Sequence, residues 1–97
     1  MAEDYDSEKY NDKVKITVNV NKKLKEKVKS GITYEEFKKY VGSIDGVLLI
    51  KRIEGNTYEW NDGKGSFLKA TFSSEDNLCH EFYGHIEGQG VVSSYDD

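Results

Sequence analysis

The chain is 97 residues long, which is the size of one small domain. Apolar residues make up 36% and charged residues 33% of it, so it can form one small core but not a core together with a deep substrate cavity. The longest strictly apolar run, residues 47–50, is too short to cross a membrane. A single cysteine, Cys79, excludes an internal disulfide and a zinc site built from several cysteines.

The net charge of −4 is unevenly distributed along the chain. Residues 13–29 contain seven lysines and one acid, whereas residues 1–12 and 79–97 are acidic. A basic stretch can bind nucleic acid or anionic lipid. The acidic overall balance and the near absence of arginine favour a solvated helix face instead, so nucleic acid is not expected as the partner.

Composition divides the chain into one domain with two tails. Residues 1–12 are polar and acidic, and residues 88–97 mix glycine and serine with terminal acids. Chain ends of this kind are usually mobile unless other contacts fix them. We therefore predict an acidic N-terminal tail over residues 1–12, a single α+β domain over residues 13–87 and a flexible C-terminal tail over residues 88–97.

The first predicted elements are a strand and a helix. Valine and isoleucine alternate with polar residues over 14–20, and this period of two predicts an extra N-terminal strand. Asn21 is the expected N-cap of a short helix over residues 22–29. Gly31 is expected to end that helix.

The clearest local signal is the start of a second helix at Thr33. Thr33 and Glu36 have the spacing of a capping box, in which each side chain accepts a hydrogen bond from the backbone N–H of the other residue. Phe37 and Tyr40 belong to the apolar stripe of this helix. Gly42 is expected to end it.

Four antiparallel strands are predicted to follow. They are expected over residues 47–54, 57–60, 66–73 and 78–86, with turns at 55–56, 61–65 and 74–77. Short connections predict a meander, and the two helices have to cover one of its faces. The predicted fold class is therefore α+β, with two short helices packed on a four-stranded antiparallel meander sheet.

Several segments occur in an order that resembles a known family. They are residues 29–37 (KSGITYEEF), Val41-Gly42, Tyr58-Glu59-Trp60 and Ala70-Thr71-Phe72. This order is similar to that of the β-lactamase-inhibitory-protein-like domain, which is related in shape to small outer-membrane assembly lipoproteins of the BamE type. The resemblance covers residues 22–86. It implies a non-enzymatic domain of exported bacterial proteins that acts through protein contacts.

The expected function follows from this resemblance and from its limits. The chain has one copy of the domain and lacks the paired cysteines of the inhibitor, so β-lactamase inhibition is not expected. We expect a protein-interaction module of an exported or cell-surface bacterial protein. The alternative is an intracellular acidic inhibitor encoded by a phage or mobile element. No apolar stretch follows Met1, so no signal peptide is visible and a cytoplasmic location is the alternative to a secreted or cell-surface one.

No catalytic or metal-binding set is recognised in the sequence. On a regular strand, Cys79 and His85 would share one face and His80 would lie on the other. The three side chains would then not converge on one metal ion, and Cys79 could not pair with His80 as nucleophile and base. We predict that the protein is not an enzyme, and that it uses no metal, no cofactor and no small-molecule substrate.

The candidate protein-binding residues come from the alternation of the strands. Tyr58 and Trp60 are expected to lie under the helices. The opposite face combines aromatic side chains with polar neighbours, as many protein-binding surfaces do. The predicted contact patch for another protein consists of Phe67, Lys69, Glu81, Tyr83 and His85.

Overall fold

A computed structural model describes residues 10–95 of the chain. The elements in this range are α1 (Val18–Val28), β1 (Ile32–Thr33), α2 (Tyr34–Tyr40), β2 (Val47–Lys51), β3 (Gly55–Asn61), β4 (Phe67–Ser73), β5 (Leu78–Ile86) and β6 (Gly90–Ser93). The predicted α+β class, with two helices and an antiparallel sheet, is confirmed. Most of the predicted N-terminal tail, residues 1–12, lies outside the described residues.

The sheet is larger than the predicted four-stranded meander. Strands β2 to β5 pair with their neighbours in chain order, and β1 and β6 both pair with β5. β1 lies beside the first two residues of β5 and β6 beside its last four, so together they flank the edge of β5 that faces away from β4. All of these pairings are antiparallel.

The core lies between the helices and one face of the sheet. The ring of Trp60 on β3 is buried and stacks on Phe37 of α2, with 4.8 Å between the ring centroids. The indole N–H of Trp60 donates a hydrogen bond to the carbonyl oxygen of Ile44 at 2.6 Å, so the one polar atom of the ring is satisfied. Leu68, Ala70 and Phe72 are buried on β4, as the alternation of that strand predicts, and they pack in the same core.

The predicted N-terminal strand over residues 14–20 is not formed. Val14 and Ile16 are buried, so the alternation does reflect burial, but residues 14–17 are not a strand and α1 begins within the predicted stretch, at Val18. The cap explains the difference, because the hydroxyl of Thr17 accepts the N–H three residues later at 3.1 Å. The predicted cap, Asn21, lies inside the helix.

The predicted ends of both helices are confirmed, and the second cap is confirmed in part. Gly31 and Gly42 have φ of 94° and 108°, which glycine adopts without a steric penalty. The Thr33 hydroxyl accepts the N–H of Glu36 at 3.1 Å. The Glu36 carboxylate instead lies 3.9 Å from the ammonium group of Lys27 on α1, an approach that sequence spacing alone does not reveal.

The predicted turn at residues 55–56 is wrong, because both residues belong to β3. The hairpin turns at residues 52–54, and Arg52 and Gly55 exchange two backbone hydrogen bonds across it. Gly55 is needed for close packing, since a Cβ atom there would lie 2.5 Å from the carbonyl oxygen of Phe72. β2 accordingly ends at Lys51 and not at residue 54.

β5 has the predicted bounds but not the predicted regularity. Ala70 pairs with Phe82 while Phe72 pairs with Cys79, so β5 contains one extra residue at this point. This bulge turns Cys79 into the core and leaves His80 exposed. The prediction that Cys79 and His85 share a face is therefore wrong, because the bulge places Cys79 on the core side and His85 stays on the opposite side.

The C-terminal residues differ from the predicted flexible tail. Within residues 88–97, Gly90–Ser93 form β6 and extend the sheet. Backbone contacts continue past the strand, because the N–H of Ser94 donates to the carbonyl oxygen of Phe82 at 2.9 Å and the Ser94 hydroxyl accepts the Phe82 N–H at 2.9 Å. Val92 packs against the core.

Candidate protein-binding face

The candidate site lies on the outer face, the side of the sheet opposite the buried cluster and the helices. Residues directly opposite each other in an antiparallel pair point to the same face. Phe67 pairs with His85 and Lys69 pairs with Tyr83, so these four predicted residues form two adjacent rows on β4 and β5. The bulge in β5 precedes both rows, so the alternation predicted for this part of the strand holds.

The first row is an aromatic stack. The rings of Phe67 and His85 are nearly parallel, with an interplanar angle of 17° and centroids 6.4 Å apart. The Nδ1 atom of His85 lies 2.7 Å from the carbonyl oxygen of Gly65, at hydrogen-bonding distance. This contact fixes the imidazole of His85 against the loop before β4, so both a hydrogen bond and the ring of Phe67 hold it in place.

The second row joins a cation to the aromatic rings. The ammonium nitrogen of Lys69 lies 5.4 Å from the centroid of Phe67 and 6.0 Å from that of Tyr83, which is the range of a cation–π contact. Tyr83 retains 54% of its side-chain exposure. The lysine therefore bridges the half-buried ring of Phe67 and the exposed ring of Tyr83.

Glu81, the fifth predicted residue, lies at the rim of this cluster. It is exposed, and its carboxylate accepts a hydrogen bond from the hydroxyl of Tyr95. The contact joins Tyr95, which follows β6, to the part of β5 that precedes Tyr83. Glu81 thus contributes a polar margin and does not touch the Phe67–His85 stack.

Sequence reasoning missed the contribution of β6 to this face. Val91 pairs with His85 and is 77% exposed, so it extends the first row by one apolar residue. The signal that could have revealed it is the Val91-Val92 pair, in which one side chain packs on the core and the other faces out. We call Phe67, Lys69, Tyr83, His85 and Val91 the outer-face patch.

Among the residues that the structure describes, the remaining chemistry-bearing side chains do not assemble into a second site. Burial raises the pKa of the Cys79 thiol to about 11, which disfavours the reactive thiolate. His80 instead lies 3.1 Å from the carboxylate of Asp76 at the turn before β5. Within residues 10–95, no three histidine, cysteine or acidic side chains are grouped as a metal site would require.

Comparison with known proteins gives no relative. No known protein family, no curated protein and no solved structure matches the chain significantly. Among the described helices, none is both long and apolar enough to span a membrane.

Proposed function

We propose that this protein is a non-enzymatic protein-interaction module that binds its partner through the outer-face patch. The observation that carries the proposal is the grouping of Phe67, His85 and Tyr83 around Lys69, with Val91 beside them, on a face that no described helix covers. An exposed cluster of aromatic and aliphatic side chains with a polar rim is the usual anatomy of a protein interface.

The charge of this face favours a protein partner over nucleic acid. Lys69 is the one lysine or arginine of the patch, and its ammonium group is already placed over two rings. Glu81 at the rim adds a negative charge, which would repel phosphate groups. The lysines of residues 13–29 belong mainly to α1, whose buried residues Leu24 and Val28 lie in the core on the opposite side of the sheet.

The proposed setting is an exported or cell-surface bacterial protein, and it rests on the sequence resemblance given above. That resemblance consists mostly of residues that set the fold, such as Thr33 at a helix cap and Trp60 in the core. It therefore supports the class of protein and says little about the partner.

The experiment compares capture of a binding partner by the wild-type domain and by surface variants. The double variant Tyr83→Ser/Val91→Ser removes the two most exposed side chains of the patch. The matched control is Ile53→Ser, which removes an apolar side chain that is 94% exposed in the turn between β2 and β3. Loss of one hot-spot side chain costs about 2 kcal/mol or more, so we expect at least roughly 30-fold weaker binding for the double variant even if only one of the two residues is a hot spot.

The result has to be read together with stability. Both variants should keep the melting temperature of the wild type, because the side chains removed are mainly exposed. Equal capture of the same partner by wild type and by Tyr83→Ser/Val91→Ser would place the binding surface elsewhere. A second double variant, Phe67→Ala/Tyr83→Ala, removes the two rings that Lys69 contacts and should also lose the partner.

A further inference from the structure

The two ends of the β2–β5 meander differ in whether another strand covers them. At one end, the outer side of β5 pairs with β1 along one stretch and with β6 along another. The other edge strand, β2, pairs only with β3, and no strand of residues 10–95 lies against its outer side. An edge strand of this kind presents backbone N–H and C=O groups that can pair with another chain.

The β2 edge is also the most apolar exposed segment of the described chain. Residues 47–50 are the longest strictly apolar run in the sequence, and Leu48 and Ile50 are 46% and 41% exposed. Ile53, directly after the strand, is almost fully exposed. Three of the eight exposed large apolar side chains of the described residues therefore lie within six consecutive positions. Leu48 and Ile50 point to opposite faces of the sheet, so a strand paired along this edge would cover apolar side chains on both faces.

The charges at the two ends of β2 indicate what kind of chain could pair with it. Asp45 lies just before β2 and shares the ammonium group of Lys38 with Glu35, so these two acids and one lysine keep a net negative charge, whereas Lys51 and Arg52 lie at the end of the strand. Two antiparallel copies of this segment would each place Asp45 near the lysine and arginine of the other copy. A parallel arrangement would bring like charges together. The segment is therefore charge-complementary to itself in the antiparallel orientation.

We propose that β2 pairs with β2 of a second copy of this chain across a two-fold axis. The proposal is independent of the outer-face patch, which lies on β4 to β6, at least two strand spacings or roughly 10 Å away. A two-fold interface is self-complementary and closes, so it joins two sheets into one and leaves no free β2 edge for further growth. Both patches would then lie on the same continuous outer face.

The bulge in β2 and the charges at the ends of this strand together indicate the register in which two copies would pair. Val47 pairs with Glu59 and Ile50 with Thr57, so both side chains point to the outer face, and the irregularity between Leu48 and Ile50 accounts for the odd spacing. Opposite residues share a face in an antiparallel pair. Of the registers that match faces on both copies, the one with Val47 opposite Ile50 also brings Asp45 opposite Arg52, so we expect this register.

The expected dimer is weak. Pairing along five residues on each copy buries less surface than the roughly 800 Å² per partner of stable complexes. We therefore expect a dissociation constant on the order of 10–100 μM. Sedimentation velocity between about 5 μM and 1 mM should show a monomer that converts reversibly to a dimer. A wild-type protein that stays monomeric over this range would overturn the proposal.

Two edge variants and one control locate the interface. Ile50→Lys places a charge on the edge strand, and Arg52→Asp sets like charges against Asp45 of the second copy. Each should weaken dimerisation at least tenfold with an unchanged melting temperature. The control, Tyr83→Ser/Val91→Ser, should dimerise like the wild type. Dimerisation that persists in both edge variants but is lost in the control would assign the dimer to the outer face and contradict the proposal.

A mixing experiment tests the register. Cys79 is buried, so a cysteine introduced at the surface is the one accessible thiol of the described residues. Val47→Cys and Ile50→Cys, mixed and mildly oxidised, should form a disulfide-linked heterodimer, because the two Cβ atoms lie opposite each other. Neither variant should crosslink efficiently alone. Crosslinking of one variant with itself in preference to the mixture would show that this register is wrong.

Discussion

The position of Cys79 shows how one extra residue in a strand changes the chemistry of a side chain. The bulge in β5 turns the thiol into the core, where its Sγ lies 3.0 Å from the carbonyl oxygen of Glu81. Burial disfavours the thiolate, and this raises the pKa of the thiol to about 11. A regular strand would have placed the same thiol on the outer face, which is the face that carries His85.

The native protein should therefore react very slowly with thiol reagents. At pH 8, a chromogenic disulfide reagent should label Cys79 only after unfolding in guanidinium chloride, because the thiolate is the reacting species and the native site is buried. The variant Val91→Cys is the positive control, since it adds an exposed thiol on β6 that should react at once. Rapid labelling of the wild type in buffer would mean that Cys79 is accessible and that the bulge is misplaced.

The common face of the candidate residues on β4 and β5 is the residue-level feature that sequence alternation did predict, whereas the contacts of Lys69 with two rings are seen only in the structure. Alternation assigned Phe67, Lys69, Tyr83 and His85 to one face, and the register of β4 and β5 brings them into direct neighbourhood. Their role in binding remains a prediction. The alternation holds here because the bulge lies before Phe82, and the strand is regular from Phe82 to His85.

At the scale of elements, local signals predicted what depends on local contacts. The bounds of β5, the burial pattern of β4 and the glycine after each helix follow from residues close together in sequence. The strand assigned to residues 14–20 failed because alternation records burial, and a chain can be alternately buried without pairing. Thr17, in the middle of this stretch, carries the competing helix signal because it caps α1.

Other features of the elements depend on distant contacts and could not be predicted. In the sequence Gly55 is typical of a turn, but a glycine is required there because a Cβ atom would clash with the backbone of Phe72. The strand at Gly90–Ser93 lies in a segment rich in glycine and serine, and it forms because the edge of β5 is available beside it. Val91 was missed for the same reason, although it belongs to the candidate site.

The cap of α2 is the element-level interaction that can be tested most directly. Thr33→Ala removes the hydroxyl that accepts the Glu36 N–H, and we expect the free energy of unfolding to fall by about 1 kcal/mol in denaturant titrations. Thr33→Ser keeps an accepting hydroxyl and should be close to the wild type. Glu36→Ala should cost less than about 0.5 kcal/mol, because its exposed contact with Lys27 is a weak surface ion pair. Equal stability of the alanine and serine variants at position 33 would show that the cap contributes nothing.

At the scale of the whole molecule, one polar network joins the helical layer to the start of the sheet. The Asp45 carboxylate accepts hydrogen bonds from Lys38 and from the hydroxyl of Tyr34, each at 3.1 Å. That hydroxyl also accepts the N–H of Gly46 just before β2. Lys38 is the first cause of the lowered pKa of Asp45, and the hydrogen bond from Tyr34 is the second. The same pairing raises the pKa of Lys38.

These directions predict how stability depends on pH. The pKa of Asp45 is lower in the folded than in the unfolded chain, so its contribution is complete above the ordinary carboxyl value of 3.8 and is lost as the pH falls through the folded value. The raised pKa of Lys38 gives the opposite limit, because its contribution is complete below 10.5 and is lost as the pH rises through the folded value. The network should therefore contribute fully across neutral pH.

The variant Asp45→Asn isolates this contribution from the general effect of charge. Acid also destabilises the whole molecule, because protonation of its acids leaves the lysines of residues 13–29 and elsewhere without compensating charge. That repulsion acts on wild type and variant nearly alike, so the difference between their melting temperatures reports mainly on Asp45. We expect the variant to melt at a lower temperature than the wild type at pH 7, and the two curves to converge as the pH falls from about 5 to about 2. A difference that stays constant over this range would mean that the Asp45 carboxylate contributes through packing and not through its charge.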